Sequence, residues 1–372
     1  MKDADSKTGT PAILRRRPVL ITGGAGFIGS NLADRFAGEG HDVLVYDALA
    51  RPGVDRNLEW LKHRHPSKIS AVIADVRDEA AIAAAASDAQ AVFHMAAQVA
   101  VTTSLADPRL DFEINIRGTL NLLDALRKRG EPVPFVFAST NKVYGDLADV
   151  DLEMTNDAYV PRNPSVRNNG VSEARPLDFH TPYGCSKGAA DQYVLDYARS
   201  YGIPTCVLRM SCIYGQRQMG TEDQGWVAHF LIRAIEGQPI TIYGDGCQVR
   251  DILNISDAVD AYAAAWRRIN AVQGRAFNLG GGPSNAISLR QLLIHIEDII
   301  GHPIDTVYSD WRAGDQRYYV SDIRQITREF ELKSPMPWRK GVAELAQWLR
   351  EERDSSAAAR QSHRLREAAT LS

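Results

Sequence analysis

Tyr183 and Lys187 lie four residues apart in TPYGCSKGAADQYVLDYA (181–198), a stretch patterned as a helix from about Tyr183. That spacing stacks the two side chains on one helix face. A phenol must lose about three pKa units, roughly 4 kcal/mol, to act as a base near pH 7. A neighbouring ammonium pushes it that way, and so does any cationic ring bound beside it. A second polar group stands in ASTNKVYG (138–145), where Ser139 and Thr140 close an apolar run and Asn141 and Lys142 follow. A hydroxyl beside a phenolate can hold an alcohol and relay its proton. Thr140, Tyr183 and Lys187 are therefore the candidate catalytic residues, suited to deprotonating an alcohol while its C–H gives up hydride.

Hydride needs an acceptor, and TGGAGFIGS (22–30) provides a place for one. Gly23, Gly26 and Gly29 fall between a strand and a helix, where glycine allows a sharp turn and close approach to a pyrophosphate. Phe27 and Ile28 open that helix. Asp47 ends the next strand 18 residues after Gly29, placed to bond the adenosine ribose and repel a 2′-phosphate, which favours NAD over NADP. Asp75 and Val76, at the end of the third strand, could flank the adenine. Small residues in HMAAQ (94–98) suit backbone packed against a dinucleotide, so Ala96, Ala97 and Gln98 join the cofactor set with Ser139, Tyr183 and Lys187. His94 is read as a satisfied core histidine without chemistry.

The elements that must hold these groups follow one pattern. PVLIT (18–22), DVLVYD (42–47), ISAVIAD (69–75), AVFHMA (91–96), PFVFAST (134–140) and TCVLRM (205–210) are short apolar runs with helical patterns between them. Strand and helix in alternation predict an α/β fold, a Rossmann-type doubly wound parallel sheet. Beyond Tyr214 the pattern breaks up, with helix over 226–237, strand then turn over 240–246, and helix over 288–301. The expected organisation is a disordered leader over 1–17, an NAD-binding domain over 18–213, a smaller substrate-binding lobe mainly over 214–350 with returns to the main sheet, and a frayed or flexible tail over 351–372.

The chain has 372 residues, 44% hydrophobic and 24% charged, with a formal charge of -3. Such a composition excludes disordered and fibrous classes and leaves no basic footprint for nucleic acid or a membrane surface. Four cysteines form no CxxC pair and no histidine cluster joins them, so no metal is expected and the thiols read as reduced. Without a signal peptide or an apolar run of about 20 residues, a cytoplasmic location is expected.

Taken together, the glycine turn, the hydroxyls of 139–140 and the Tyr-x-x-x-Lys segment resemble the extended short-chain dehydrogenase/reductase family of nucleotide-sugar epimerases and dehydratases, over about residues 18–349. Members that dehydrate a sugar carry Asp-Glu after the hydroxyl as a general acid and base. Here Asn141 and Lys142 stand there, so oxidation followed by re-reduction, hence inversion of one carbinol, is what the resemblance implies. The stretches HMAAQVAVTTS (94–104), DFEINIRGTLNLL (111–123) and DFHTPYGCSKGAADQYVLDYAR (178–199) are similar to the branch that inverts C2 of CDP-sugars of the paratose and tyvelose type. Nothing in spacing alone distinguishes C2 from C4, and two other readings stay open: a UDP-sugar 4-epimerase, and an NAD-binding sensor or scaffold without turnover.

The same resemblance implies Arg250 and Arg317 as a diphosphate clamp, with Asn141 also at the substrate. Thr102 and Thr103 either contact the sugar or cap a helix, and Tyr243 packs either on the nucleobase or in the core. Cys212 takes the place of an asparagine that many 4-epimerases of the family use. The implied partner is a nucleotide-sugar. A homodimer or homotetramer paired through helices near 111–128 and 183–200 is also implied.

Overall fold

Six of the expected apolar runs become parallel neighbours in one sheet. The computed structural model describes residues 17–370, with side chains to Asp354; the expected leader therefore lies, apart from Arg17, outside the described residues. The strands are β1 (Val19–Thr22), β2 (Val43–Asp47), β3 (Ile69–Ile73), β4 (Ala91–His94), β5 (Phe135–Thr140) and β6 (Thr205–Met210), joined by β7 (Arg275–Leu279). Their order is β7-β6-β5-β4-β1-β2-β3, parallel throughout. Strands covered on both faces read as continuous apolar runs, and every residue of β1, β4 and β5 is buried. Phe36, Phe93, Leu208 and Phe277 pack one face, and Tyr46, Leu122, Phe135 and Phe137 the other.

Strand order reverses between β1 and β4, whose ends align as Thr22 opposite His94. In an open α/β sheet, ligands bind in the crevice at such a switch point, beyond the carboxyl ends of the strands. Helix α1 (Phe27–Gly38) leaves β1 through the glycine turn, and helix α2 (Thr181–Tyr201) runs beside β5 and β6. Pro182 in the first turn of α2 costs no hydrogen bond, because the earliest helical amides lack intrahelical partners.

Within the span expected to form the smaller lobe, one sheet joins Val249–Asn254 with Cys212–Tyr214, Ala286–Ser288 and Tyr318–Tyr319, and a second pairs Ile240–Tyr243 with Thr306–Ser309. Its helices are Trp226–Ile235 and Leu289–Ile300, the latter started by a Ser288–Gln291 capping box. Between these pieces the chain returns to the main body twice, as the Ile255–Arg267 helix against α1 and as β7. The final helix runs Trp338–Thr370, so helical backbone extends well past Arg350. Among the described residues, no helix is long and apolar enough to cross a membrane.

Candidate active site

At the glycine turn, geometry dictates residue type. Gly23 has φ +64, and a Cβ there would lie 2.7 Å from the Ala96 amide nitrogen. A Cβ on Gly29 would lie 2.2 Å from the Gly23 carbonyl oxygen. No side chain caps α1 at Gly26, so the amides of its first turn, Phe27 and Ile28 among them, face outward as a ready anion site. Asp47 anchors the turn: its carboxylate accepts from the Ala25 amide at 3.0 Å and the Leu49 amide at 2.8 Å. A carboxylate offers about four acceptor positions, so two remain for a diol. These features fit a dinucleotide.

The other cofactor candidates divide. Ala96 and Ala97 lie just beyond β4, and the Ala96 amide donates to Thr22 Oγ1 at 3.3 Å. Asp75 lies two residues past β3, held by Arg77 through contacts of 2.9 and 2.7 Å that keep its carboxyl below the usual range. Val76 is buried against Gly118, where a Cβ would sit 2.6 Å from its Cγ2. Ser139 has its hydroxyl already engaged with α2, the helix that carries Tyr183 and Lys187. It donates to Asp191 at 2.8 Å.

His94 behaves as the core residue expected. Thr119 Oγ1 donates to the Asn115 carbonyl at 2.6 Å and so accepts from His94 Nε2 at 3.0 Å. His94 Nδ1 then accepts from Thr22 Oγ1 at 2.6 Å. Burial drives its pKa down to about 3, with the Lys187 charge acting the same way.

The three catalytic candidates converge at the end of β5. Thr140 is buried, and its Oγ1 accepts from the Lys142 amide at 3.2 Å. Burial lifts the Tyr183 phenol to about 12, with the Asp111 charge acting the same way and the Thr140 hydroxyl opposing both. Lys187 reaches from α2 to the Ala138 carbonyl at 2.6 Å, its Nζ 4.2 Å above the Phe137 ring centroid. Burial lowers it to about 7, against the pull of Asp191 and Asp111. The expected depression of the tyrosine is therefore absent from the protein groups taken alone, because desolvation dominates both members of the pair.

Beneath them lies a network that the sequence reading did not single out. Asp111 Oδ1 accepts from Gln98 Nε2 at 2.8 Å and Asn115 Nδ2 at 3.1 Å, and Asn115 Nδ2 also donates to Ser186 Oγ at 2.9 Å. The Gln98 amide donates to Asn115 Oδ1 at 2.8 Å. A π-helical turn at Glu113–Arg117 accompanies this network; such turns recur at functional sites. Behind β5, Asp191 pairs with Arg209 at 2.9 and 3.0 Å, both fully or nearly fully buried.

Among the residues expected to meet substrate, Asn141 Nδ2 donates to Gln316 Oε1 at 2.9 Å, and Gln316 Nε2 donates to the Gly145 carbonyl at 2.6 Å. The quoted turn is thereby tied to a distant loop. Arg250 Nη2 donates to Asp315 at 2.6 Å. Tyr243 is not core: its hydroxyl donates to Glu222 at 2.7 Å and the Arg312 guanidinium stacks 3.8 Å from its ring centroid. Arg317 is exposed and lies about equally far from Trp311 and Tyr159, at 5.5 and 5.6 Å. Arg312, rather than Arg317, is thus the guanidinium beside Tyr243, and the run RAGDQR (312–317) was its available signal. Thr102 and Thr103 are exposed within the Val101–Ala106 helix and do not cap it. Cys212 accepts from Trp226 Nε1 at 3.3 Å, and burial keeps its thiol protonated. All four cysteines are free.

A switch-point glycine turn with a hydroxyl, a tyrosine and a lysine at the next crossover defines a Rossmann-type oxidoreductive site. The chain belongs to the NAD dependent epimerase/dehydratase family, whose model matches residues 19–280. It is 41% identical over 337 residues to CDP-paratose 2-epimerase of Salmonella typhi, covering 89% of this chain and 98% of that one. Among solved structures it resembles UDP-glucose 4-epimerase of Thermotoga maritima with UDP-glucose (TM-score 0.77, 28% identity, 90% and 99% coverage). The UDP-glucose 4-epimerase of Thermus thermophilus with NAD gives a TM-score of 0.75 at 29% identity, with the same coverage.

Proposed function

We propose that this enzyme inverts one carbinol of a nucleotide-sugar, C2 of a CDP-linked deoxysugar, by oxidation to a 2-keto sugar and reduction from the opposite face. The observation that carries the reading is the turn Thr140–Asn141–Lys142 set against Tyr183 and Lys187: an alcohol-oxidising constellation with no carboxylate where a dehydration acid and base would stand. The similarity to a CDP-paratose 2-epimerase over nearly the whole chain supports C2 and cytidine.

The α1 amides, Asp47 and the backbone near Ala96 would hold NAD, with Asp75, Val76 and Gln98 around it. When bound, NAD supplies the reversible hydride acceptor. Tyr183, with the Thr140 hydroxyl as its partner at the alcohol, takes the proton of the alcohol as the ketone forms and returns it after the sugar turns over. Lys187 supplies the positive charge that favours the phenolate, and the Asp111–Asn115–Ser186 network fixes the start of α2. Arg250 and Arg312 hold the diphosphate, a task suited to guanidinium forks. Asn141, bound to Gln316, shapes the sugar pocket without offering an acid. Pairing of two chains through α2 and its neighbour is also proposed, supported by exposed Phe112, Tyr193 and Tyr201.

The test is a panel of CDP-, UDP- and GDP-sugars incubated with the holoenzyme, the products assigned by NMR and mass. A C2 epimer formed from a CDP-sugar at unchanged mass supports the reading. Turnover confined to UDP-sugars with inversion at C4 would replace it by the second reading, which the likeness to two UDP-glucose 4-epimerases favours. Loss of 18 mass units would refute both.

A further inference from the structure

We propose that Lys142 is a third cation of the diphosphate site, contacting the phosphate nearer the sugar and thereby setting the preference for nucleoside diphosphates over monophosphates. This rests on the nucleotide-sugar reading above. The Lys142 side chain is only 21% exposed, and its ammonium carries three donors. One donates to the Gly314 carbonyl at 3.0 Å; Asp315 stands 3.9 Å away, beyond hydrogen-bond distance. Arg250, with 8% of its side chain exposed, takes the same Asp315 oxygen at 2.6 Å. Two sequestered cations thus share one carboxylate. Counted over the groups in contact, since Asp146 faces His180 instead, this leaves a positive charge held away from water, which is unfavourable until an anion completes it.

Position tells which anion. The Lys142 amide donates to Thr140 Oγ1 at 3.2 Å, which sets the residue beside the reacting carbinol, while its ammonium lies 3.9 Å from the Asp315 oxygen that Arg250 also holds. The other groups that act on it are Asp315, the neutral Cys212 thiol and Asp146. Lys142 therefore lies on the path from sugar to guanidinium, where the sugar-proximal phosphate of a nucleotide-sugar must pass. Burial, with Arg250 beside it, lowers the ammonium to about 8, so the charge is retained at neutral pH.

Isothermal titration of NAD-loaded wild-type protein, Lys142→Gln and Lys142→Arg with CMP and CDP tests this, with UMP and UDP run alongside. Lys142→Gln should weaken diphosphate binding about 10- to 100-fold, the range for a charge-assisted hydrogen bond. Monophosphate affinity should stay within twofold, and Lys142→Arg should restore most of the difference. Unchanged diphosphate affinity in Lys142→Gln would overturn the proposal. Equal loss of mono- and diphosphate would also overturn it, reducing Lys142 to a tether for the loop at Gly314. Wild-type protein that bound none of the four nucleotides would overturn the nucleotide-sugar reading itself, and this inference with it.

Discussion

Lys187→Met probes the electrostatics of the site more sharply than removal of the tyrosine. The protein groups place the Tyr183 phenol at about 12, so holding it ionised at pH 7 requires about five pKa units, roughly 7 kcal/mol. A cation close by contributes about one to three of those units; the rest must come from the bound ligands and from a proton transfer concerted with oxidation. Removing the ammonium should therefore lower kcat about 10- to 1000-fold at pH 7. Because the missing stabilisation affects only the phenolate population, activity should recover by up to tenfold per pH unit above pH 7 until the deficit is made good. Tyr183→Phe has no phenol to ionise and should stay about 10²- to 10⁴-fold down at every pH, the usual range for a lost acid/base. Turnover would be followed by NMR on a CDP-sugar, with bound NAD measured after denaturation so that rates are expressed per holoenzyme. A Lys187→Met deficit that is flat with pH, or a Tyr183→Phe variant within tenfold of wild type, would refute the reasoning.

Three further outcomes are expected. Asp191→Asn leaves the nearly fully buried Arg209 guanidinium without its counter-ion and should destabilise the fold by about 3–5 kcal/mol, read from the urea midpoint; a change below 1 kcal/mol would contradict the pairing. Gly29→Ala places a methyl 2.2 Å from the Gly23 carbonyl oxygen and should yield protein that purifies with little NAD; full cofactor content would contradict the turn geometry. His94, at about 3 in the fold against 6.5 when unfolded, takes up a proton on unfolding as pH falls below 6.5. Stability should then decline from pH 6.5 toward pH 3 by up to about 5 kcal/mol, and His94→Gln should flatten that acid limb in urea titrations.

The main sheet was legible because strands buried on both faces must be apolar throughout, and six such runs stand out. β7 escaped because Arg275 and Asn278 interrupt it; Asn278 is accommodated by Tyr144, whose hydroxyl donates to its side chain at 2.8 Å, and by Glu173, which accepts from its amide at 2.8 Å. The glycine turn and the Tyr-x-x-x-Lys pair are local in sequence and could be read directly. Groups brought in from far along the chain could not. Gln316 meets Asn141 across 175 residues and Asp315 meets Arg250 across 65, contacts that depend on how the lobe folds back. The Asp111–Asn115 pair had a local signal, two polar residues four apart within an apolar helical pattern, but their partners Gln98 and Ser186 lie in other segments. Burial also reversed one electrostatic expectation: a lysine four residues from a tyrosine suggested an acidified phenol, yet both side chains are largely withdrawn from water and each is shifted toward its neutral form.

In the proposed mechanism, hydride leaves and returns to one carbon without exchange with solvent. Its most direct test is to run the reaction to equilibrium in deuterated water and examine the inverted carbon by NMR and the product by mass. An epimer of unchanged mass with protium at that carbon is the expected product. Deuterium at the inverted carbon would show that the stereocentre is lost by deprotonation, and the transient-oxidation mechanism would be wrong.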